Sequence, residues 1–145
     1  MKKLSFTGFV FIAVLCIAAC ATGVLNIPEE LSPAELIQRA QEASDRNRYS
    51  QALEYYTALL ERNRTNIDVV CTAEYEIAFI YYKQKKYSLA KEGFTALLER
   101  YDGPGGEMLP PQFKTLAKIV LDRIIEIETP IKDKKTKEAA SCAMA

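Results

Sequence analysis

An internal repeat is the feature that most constrains how this chain folds. Residues 48–63 and 86–101 are identical at ten of sixteen aligned positions, and the two copies are 38 residues apart. A period of about 20–50 residues is typical of architectures in which helical or strand units stack side by side. Such stacks mostly bind other molecules along a surface, so the repeat favours a binding function over catalysis.

Helical periodicity runs through both copies and their surroundings. Apolar residues recur every three to four positions, and no stretch shows the alternation typical of a strand. Ser32, Pro33 and Glu35 form a strong helix start, with a capping residue, a proline suited to the first turn and a capping-box glutamate. We therefore predict an all-α domain over residues 32–129. Its five helices are expected near residues 33–47, 49–64, 67–84, 87–101 and 111–128.

Glycine and proline set the expected ends of the later helices. The run Gly103–Gly106 is predicted to end the fourth helix, and Thr129–Pro130 to close the fifth. Residues 130–145 are charged and then rich in alanine, which predicts a flexible tail. An alternative use of the lysines in this tail is contact with anionic lipid headgroups.

The N-terminus has the layout of a secretory signal. Two lysines at positions 2 and 3 precede an apolar run over residues 9–19, and small residues precede Cys20. Ile17-Ala18-Ala19-Cys20 resembles a bacterial lipobox. That resemblance implies a signal peptide over 1–19 and a tether over 20–31 that begins with acylated Cys20. The alternative is an uncleaved membrane anchor, although the apolar run is short for a span of about 20 residues.

Composition argues against several function classes. Lysine plus arginine and aspartate plus glutamate each number 19, so no strong field favours nucleic acid. The chain has no histidine, which removes the commonest general base and metal ligand. No spacing pairs a nucleophile with a base. We therefore expect neither an enzyme nor a metal, cofactor or nucleic-acid site. Cys71 is expected in the core, with a Cys71–Cys142 disulfide as the alternative.

Small and aromatic residues recur at fixed distances in both copies. In the second copy they are Ala78, Tyr81, Tyr87, Ala90 and Phe94; in the first, Ala40, Tyr49, Ala52 and Tyr56, with Ala43 in place of an aromatic. This pattern over residues 32–128 resembles tetratricopeptide repeats. The resemblance implies a solenoid of about two antiparallel helix pairs. The fifth helix repeats the spacing of a first helix as Phe113, Leu116, Ala117 and Val120, and would cap the open end.

The same resemblance implies a partner-binding concave face lined by the first helix of each pair. Carried over by position, it comprises Tyr75, Phe79, Tyr82, Lys83, Lys114, Lys118 and Leu121, with Ile37, Gln41 and Ser44 from the first helix. The aromatics of the third helix have two interpretations. They are core residues of a central helix, or a platform that binds a peptide.

These features together predict a lipid-anchored scaffold that holds a protein or peptide partner in the bacterial cell envelope. Ala73–Ala78, Tyr81–Tyr82 and the Tyr87-x-x-Ala90 spacing are similar to the tetratricopeptide lipoprotein of the outer-membrane β-barrel assembly machinery. That similarity implies a role in outer-membrane protein assembly, at the outer membrane and facing the periplasm. The alternative is an accessory component of an envelope transporter that binds peptide or solute.

Overall fold

The computed structural model describes residues 25–143, and side chains over residues 25–129. Within that range the regular structure is helical and contains no strand, which confirms the all-α prediction. The helices are α1 (Pro33–Asp45), α2 (Tyr49–Arg62), α3 (Ile67–Lys83), α4 (Tyr87–Asp102) and α5 (Pro111–Ala143), with a short 3-10 helix at Gly106–Met108. The predicted ends of α1 to α4 lie within two residues of those observed.

Local hydrogen bonds explain where α1 and α3 begin. The Glu35 N–H donates to the Ser32 hydroxyl at 3.3 Å, and the Ser32 N–H donates to the Glu35 carboxylate at 2.9 Å. This reciprocal pair is the predicted capping box. The Val69 N–H donates to the Asn66 side chain at 3.3 Å, which caps α3 in the same way.

The turns that end α1 and α3 are the same turn built twice. Asn47 and Lys85 have positive φ angles of 57° and 59° and lie 38 residues apart. After each of them, the next N–H donates to a carbonyl five residues back, Arg48 to Ala43 and Lys86 to Tyr81, at 2.8 and 2.9 Å. This is the Schellman arrangement of a helix C-terminus. The sequence repeat is therefore also a repeat of backbone geometry.

Neighbouring helices pack in order along the chain. α1 packs against α2 and α3 against α4, each across a three-residue turn, so the helices of each pair run antiparallel. α2 packs against α3 and joins the two pairs, and α5 packs against α4 and α3. α3 is therefore the central helix.

The core has two apolar clusters, and α3 contributes to both. The first contains Leu36, Ala40, Ala43, Ala52, Tyr55, Tyr56, Leu59, Ala73 and Ile80. The second contains Cys71, Tyr75, Ala78, Ala90, Phe94, Leu97, Tyr101, Leu109, Ala117, Val120 and Ile124. Burial of each large side chain contributes about 1.5–3 kcal/mol to stability. Cys71 is a fully buried free thiol, as predicted for a core residue.

Of the four α5 positions that repeat the spacing of a first helix, Ala117 and Val120 are buried, Phe113 is half-buried and Leu116 is 40% exposed. The predicted end of α5 is wrong: the helix continues to Ala143 instead of ending at Thr129–Pro130. A proline inside a helix costs about 3 kcal/mol, but the following Lys- and Ala-rich segment has high helix propensity. The flexibility of residues 130–145 stays a prediction.

The N-terminal predictions fall partly outside the described residues. The signal peptide, the lipobox and Cys20 all lie there. The described part of the predicted tether, residues 25–31, is packed against the helical domain. Among the helices over residues 25–143, none combines the length and apolar character needed to cross a membrane.

Candidate functional site

A row of aromatic rings crosses the domain from α5 through α3 to the start of α4. Tyr75 lies with its ring centroid 5.4 Å from that of Phe113 and 5.8 Å from that of Phe79. Phe79 lies 5.7 Å from Tyr82, which lies 6.1 Å from Tyr87. These separations fall within the range of favourable aromatic pairs. We call these five residues the aromatic row.

The spacing along α3 produces the middle of the row. Tyr75, Phe79 and Tyr82 are four and three residues apart, so their side chains lie on one side of the helix. Phe113 extends the row onto α5. It lies 38 residues after Tyr75, the same distance that separates the two sequence copies.

The row is buried at Tyr75 and half-buried at its other four rings, and we call the part from Phe79 to Tyr82 its open end. Tyr75 is 8% exposed and belongs to the second core cluster, where it also contacts Phe94 with ring centroids 5.5 Å apart. Phe79 and Tyr82 are only partly buried and pack against the edge of that cluster. The core interpretation therefore holds for Tyr75, whereas Phe79 and Tyr82 present part of their ring surface to solvent.

Lys83 connects the open end of the row to α1. Its ammonium donates a hydrogen bond to the Ser44 hydroxyl at 3.1 Å and lies 5.6 Å from the ring centroid of Phe79. A cation over an aromatic face is favourable by about 0.5–1 kcal/mol at exposed sites. Ser44 is buried, whereas Gln41 on the same helix is exposed and Ile37 is half-buried. The structure thus brings the predicted α1 and α3 residues to one face.

The predicted α5 residues lie elsewhere. Lys114 donates to the Asp102 carboxylate at 3.2 Å and lies 5.7 Å from the Tyr101 ring centroid, so it faces the C-terminal end of α4. Lys118 is exposed, and Leu121 packs at the edge of the second cluster. The prediction aligned Ala117 with Ala78, a spacing of 39 residues, and both alanines are buried in the second cluster. α5 packs against α4 as well as α3, so Lys114 meets Asp102 instead of the rings of α3.

The residue that α5 does bring to the open rings is Arg123. It donates to the Glu126 carboxylate at 2.9 Å, and this bond, followed by the nearby Tyr82 hydroxyl, raises the pKa of the Arg123 guanidinium. Two exposed apolar residues, Ile119 and Leu116, are four and seven residues earlier on the same side of α5. The 38-residue period could have identified Phe113, but no sequence signal identified Arg123.

A half-buried carboxylate lies on the same helix as Phe79 and Lys83. Burial raises the pKa of Glu76, Lys83 partly opposes this shift, and Asp45 of α1 adds to it. Glu76 precedes Lys83 by seven residues, so both lie on the α1 side of α3. The open face therefore combines two partly exposed rings, a lysine, an arginine and a carboxylate. We call Glu76, Phe79, Tyr82, Lys83 and Arg123 the open face.

Comparison with known proteins gives one related sequence of uncharacterized function. No family model matches the chain, and no solved structure matches it. Over 119 residues the chain is 34% identical to an uncharacterized protein of Treponema pallidum (strain Nichols). The aligned region covers 81% of this chain and 48% of the relative, so the chain spans about half the length of that protein. The functional conclusion therefore depends on the geometry of the site.

Proposed function

We propose that this chain is a lipid-anchored scaffold of the bacterial cell envelope, built on a tetratricopeptide-like solenoid, that binds a partner protein through its open face. The observation that carries the proposal is the partly exposed end of the aromatic row at Phe79 and Tyr82, beside the cationic side chains of Lys83 and Arg123. A role in outer-membrane protein assembly, at the periplasmic face of the outer membrane, is part of this proposal.

The repeated turn supports the solenoid part of the proposal. The turns after α1 and α3 each have a residue with positive φ at the same position, Asn47 and Lys85, and they form the same hydrogen bonds. α1 and α3 are each the first helix of an antiparallel pair, and α5 follows the second pair. α3 packs against both α1 and α5. This order of contacts is the one that stacked helix pairs produce, because each unit contacts only its neighbours.

The chemistry of the open face indicates the kind of segment it would bind. Aromatic residues and arginine are enriched at the centres of protein interfaces, where they supply much of the binding energy. Lys83 and Arg123 flank the rings, so an apolar side chain next to a carboxylate fits this face. The expected ligand is therefore a peptide segment of the partner in which apolar and acidic residues are adjacent.

The signal layout before Cys20 supports the anchor. Two or more acyl chains anchor a protein stably, whereas one gives only marginal binding. We expect Cys20→Ser to release the protein from membranes. Retention of the variant as an integral membrane protein would instead support an uncleaved anchor.

Cross-linking in intact envelopes, followed by mass spectrometry of the cross-linked partners, tests the binding role. We expect Phe79→Ala and Tyr82→Ala each to reduce recovery of the partner by about tenfold or more, as hot-spot substitutions do. Leu89→Ala is the matched control, because Leu89 is also an exposed apolar residue but lies on α4. Equal recovery with Phe79→Ala and Leu89→Ala would contradict the proposal, and a large loss of thermal stability in Phe79→Ala would mark its ring as core.

A further inference from the structure

The residues before α1 form a strap that is bound to α2. We define the strap as residues 25–31. Its apolar residues Leu25, Ile27 and Leu31 pack against the first core cluster. At its beginning, the Leu25 N–H donates to the Glu54 carboxylate at 3.0 Å. The segment that the sequence suggested as a tether is therefore attached to the domain along its described length.

Arg62 binds the middle of the strap through two hydrogen bonds. Its guanidinium donates to the Pro28 carbonyl at 2.8 Å and to the Ile27 carbonyl at 3.1 Å. The Glu29 carboxylate lies 3.8 Å from the same group. A guanidinium presents its donors in a rigid planar fork, so two adjacent carbonyls bonded to it are fixed in direction as well as in distance.

The corresponding positions of α4 hold no strap. Lys91 replaces Leu53 and donates to Glu128 on α5 at 2.7 Å. The apolar side chain that the strap contacts on α2 is therefore missing from α4. Arg100, which corresponds to Arg62, pairs with Glu74 on α3. The apolar residue Leu53 therefore distinguishes the strap-binding helix from its copy, and it lines the cleft that Leu25 and Ile27 share with α2.

The strap lies on the outer side of α2. Glu54, Thr57 and Glu61 of this cleft are opposite the buried Ala52 and Leu59 on the helix circumference. The open face, by contrast, is formed by residues of α3 and α5, and Lys83 connects it to α1. A helix with its side chains is about 10–12 Å across, so the two surfaces are separated by about one to two helix diameters.

We infer that the strap orients the whole domain on the membrane, with the outer face of α2 against the lipid headgroups and the open face directed away from them. This inference rests on the lipid anchor of the proposed function. Cys20 is five residues before Leu25, and five residues span at most about 18 Å. Because Leu25 is fixed to Glu54, the acylated residue cannot move far from the outer face of α2. A free twelve-residue tether would impose no such orientation.

The charge of this face indicates which lipids it meets. Glu29, Glu30 and Glu61 are exposed around the strap against one exposed cation of the same helix side, Arg64, so the face is acidic on balance and is not attracted to anionic lipids. The acyl chains therefore hold the domain, and the surface beneath it is zwitterionic lipid.

Site-specific fluorescence quenching on vesicles tests this orientation. The lipidated full chain is placed in phosphatidylcholine vesicles that contain a headgroup spin-labelled lipid, in a Cys142→Ser background that retains buried Cys71. A fluorophore is attached at Thr57→Cys, at Thr95→Cys or at Gln41→Cys. All three positions are exposed, and Thr95 is the repeat counterpart of Thr57 on α4. We expect quenching to fall in that order, with Thr57 at least about twofold above Gln41, because neighbouring helix axes are about 8–10 Å apart.

Release of the strap should remove this order. Arg62→Ala is expected to make quenching at Thr57 and Gln41 equal, whereas Arg100→Ala, the matched substitution in α4, leaves the order unchanged. If Arg62→Ala fails to fold, Glu54→Ala with Glu92→Ala as its control makes the same comparison. Equal quenching at Thr57 and Gln41 in the chain with an intact strap would overturn the inference. Stronger quenching at Thr57 than at Gln41 in both Arg62→Ala and Glu54→Ala would overturn it as well.

Failure of the inference and failure of the proposed function give different results. Flotation of the chain with vesicles reports the anchor, and a chain that does not float overturns the orientation together with the anchor. Loss of partner capture in Phe79→Ala reports the open face alone, and Phe79→Ala should leave the quenching order intact. A chain that floats, captures its partner and shows no quenching order would overturn only the orientation.

Discussion

α2 and α4 share most of their sequence, yet they have different neighbours. The residues identical between them include the buried pairs Ala52 and Ala90, and Leu59 and Leu97. Of the six positions that differ in the aligned copies, the one occupied by Leu53 and Lys91 follows the surroundings instead. Leu53 supports the strap, whereas Lys91 pairs with Glu128 of α5. The difference between Leu53 and Lys91 therefore marks what each helix meets outside its own pair.

The largest size difference between the copies is Tyr55 against Gly93. Tyr55 lies beside Arg39, Ala43 and Arg46 in a cleft at the α1 end of the stack. Gly93 lies against α3, where an added Cβ would be 2.9 Å from the Ala78 Cβ. A large ring is accommodated where no other described helix pair packs, and glycine is needed where two helices approach closely.

The largest expected effect is on the shared interior. Ala90→Asp places a carboxylate at a position with no exposed surface, and no cationic partner is in the second cluster. We expect it to destabilise the domain by about 4 kcal/mol or more. Ala96→Asp, at an exposed position of the same helix, should change stability by less than about 1 kcal/mol. Urea denaturation measures both, and similar losses in the two variants would show that Ala90 is not part of a tightly packed interior.

Exchanging the residue that differs most in size should reveal the difference in surroundings. Gly93→Tyr gives α4 the residue of α2 and forces the ring into Ala78, so we expect a loss of about 3 kcal/mol or more from overpacking. Gly93→Ala gains about 1 kcal/mol of helix propensity but meets the same contact, so its net effect should be a smaller loss. A stabilised Gly93→Ala variant in thermal denaturation would show that α3 and α4 separate easily.

The two corresponding arginines should differ moderately. Arg62→Ala removes two hydrogen bonds to strap carbonyls, and we expect a loss of about 1–2 kcal/mol together with faster proteolysis within residues 25–31. Arg100→Ala removes a partly exposed ion pair with Glu74 and should cost about 1 kcal/mol or less without exposing the strap. Limited proteolysis with mass spectrometry separates the two, since equal cleavage of the strap in both variants would refute its fixation by Arg62.

The smallest effect concerns Glu76 and depends on pH. Its pKa is raised above the ordinary value of 4.5, so the folded state binds the proton more tightly than the unfolded state does. The charged form is therefore destabilising at neutral pH. We expect Glu76→Gln to raise Tm by about 1–4 °C at pH 7, with the gain fading as pH falls through the folded pKa toward 4.5. Glu92→Gln on α4 is the exposed control, and a gain that grows on acidification would contradict the assignment.

Local sequence signals predicted the helices because each end depends on a few neighbouring residues. Ser32 and Glu35 supply the cap of α1, and Gly103 follows the last turn of α4. The same local reasoning failed at Pro130, because a helix with strong propensity on the far side can continue through a proline.

The sequence by itself determined the all-α class and the helix order, because these follow from periodicity, capping and a duplicated segment. Only the tertiary structure decided the composition of the open face and the fixation of the strap. No sequence pattern predicted that Phe113 would lie against Tyr75, or that Arg62 would bind the strap, since contacts between distant segments depend on how each helix is rotated against its neighbours. That rotation is set by the packing of Ala78 against Gly93 and of similar small residues, which no single helix specifies.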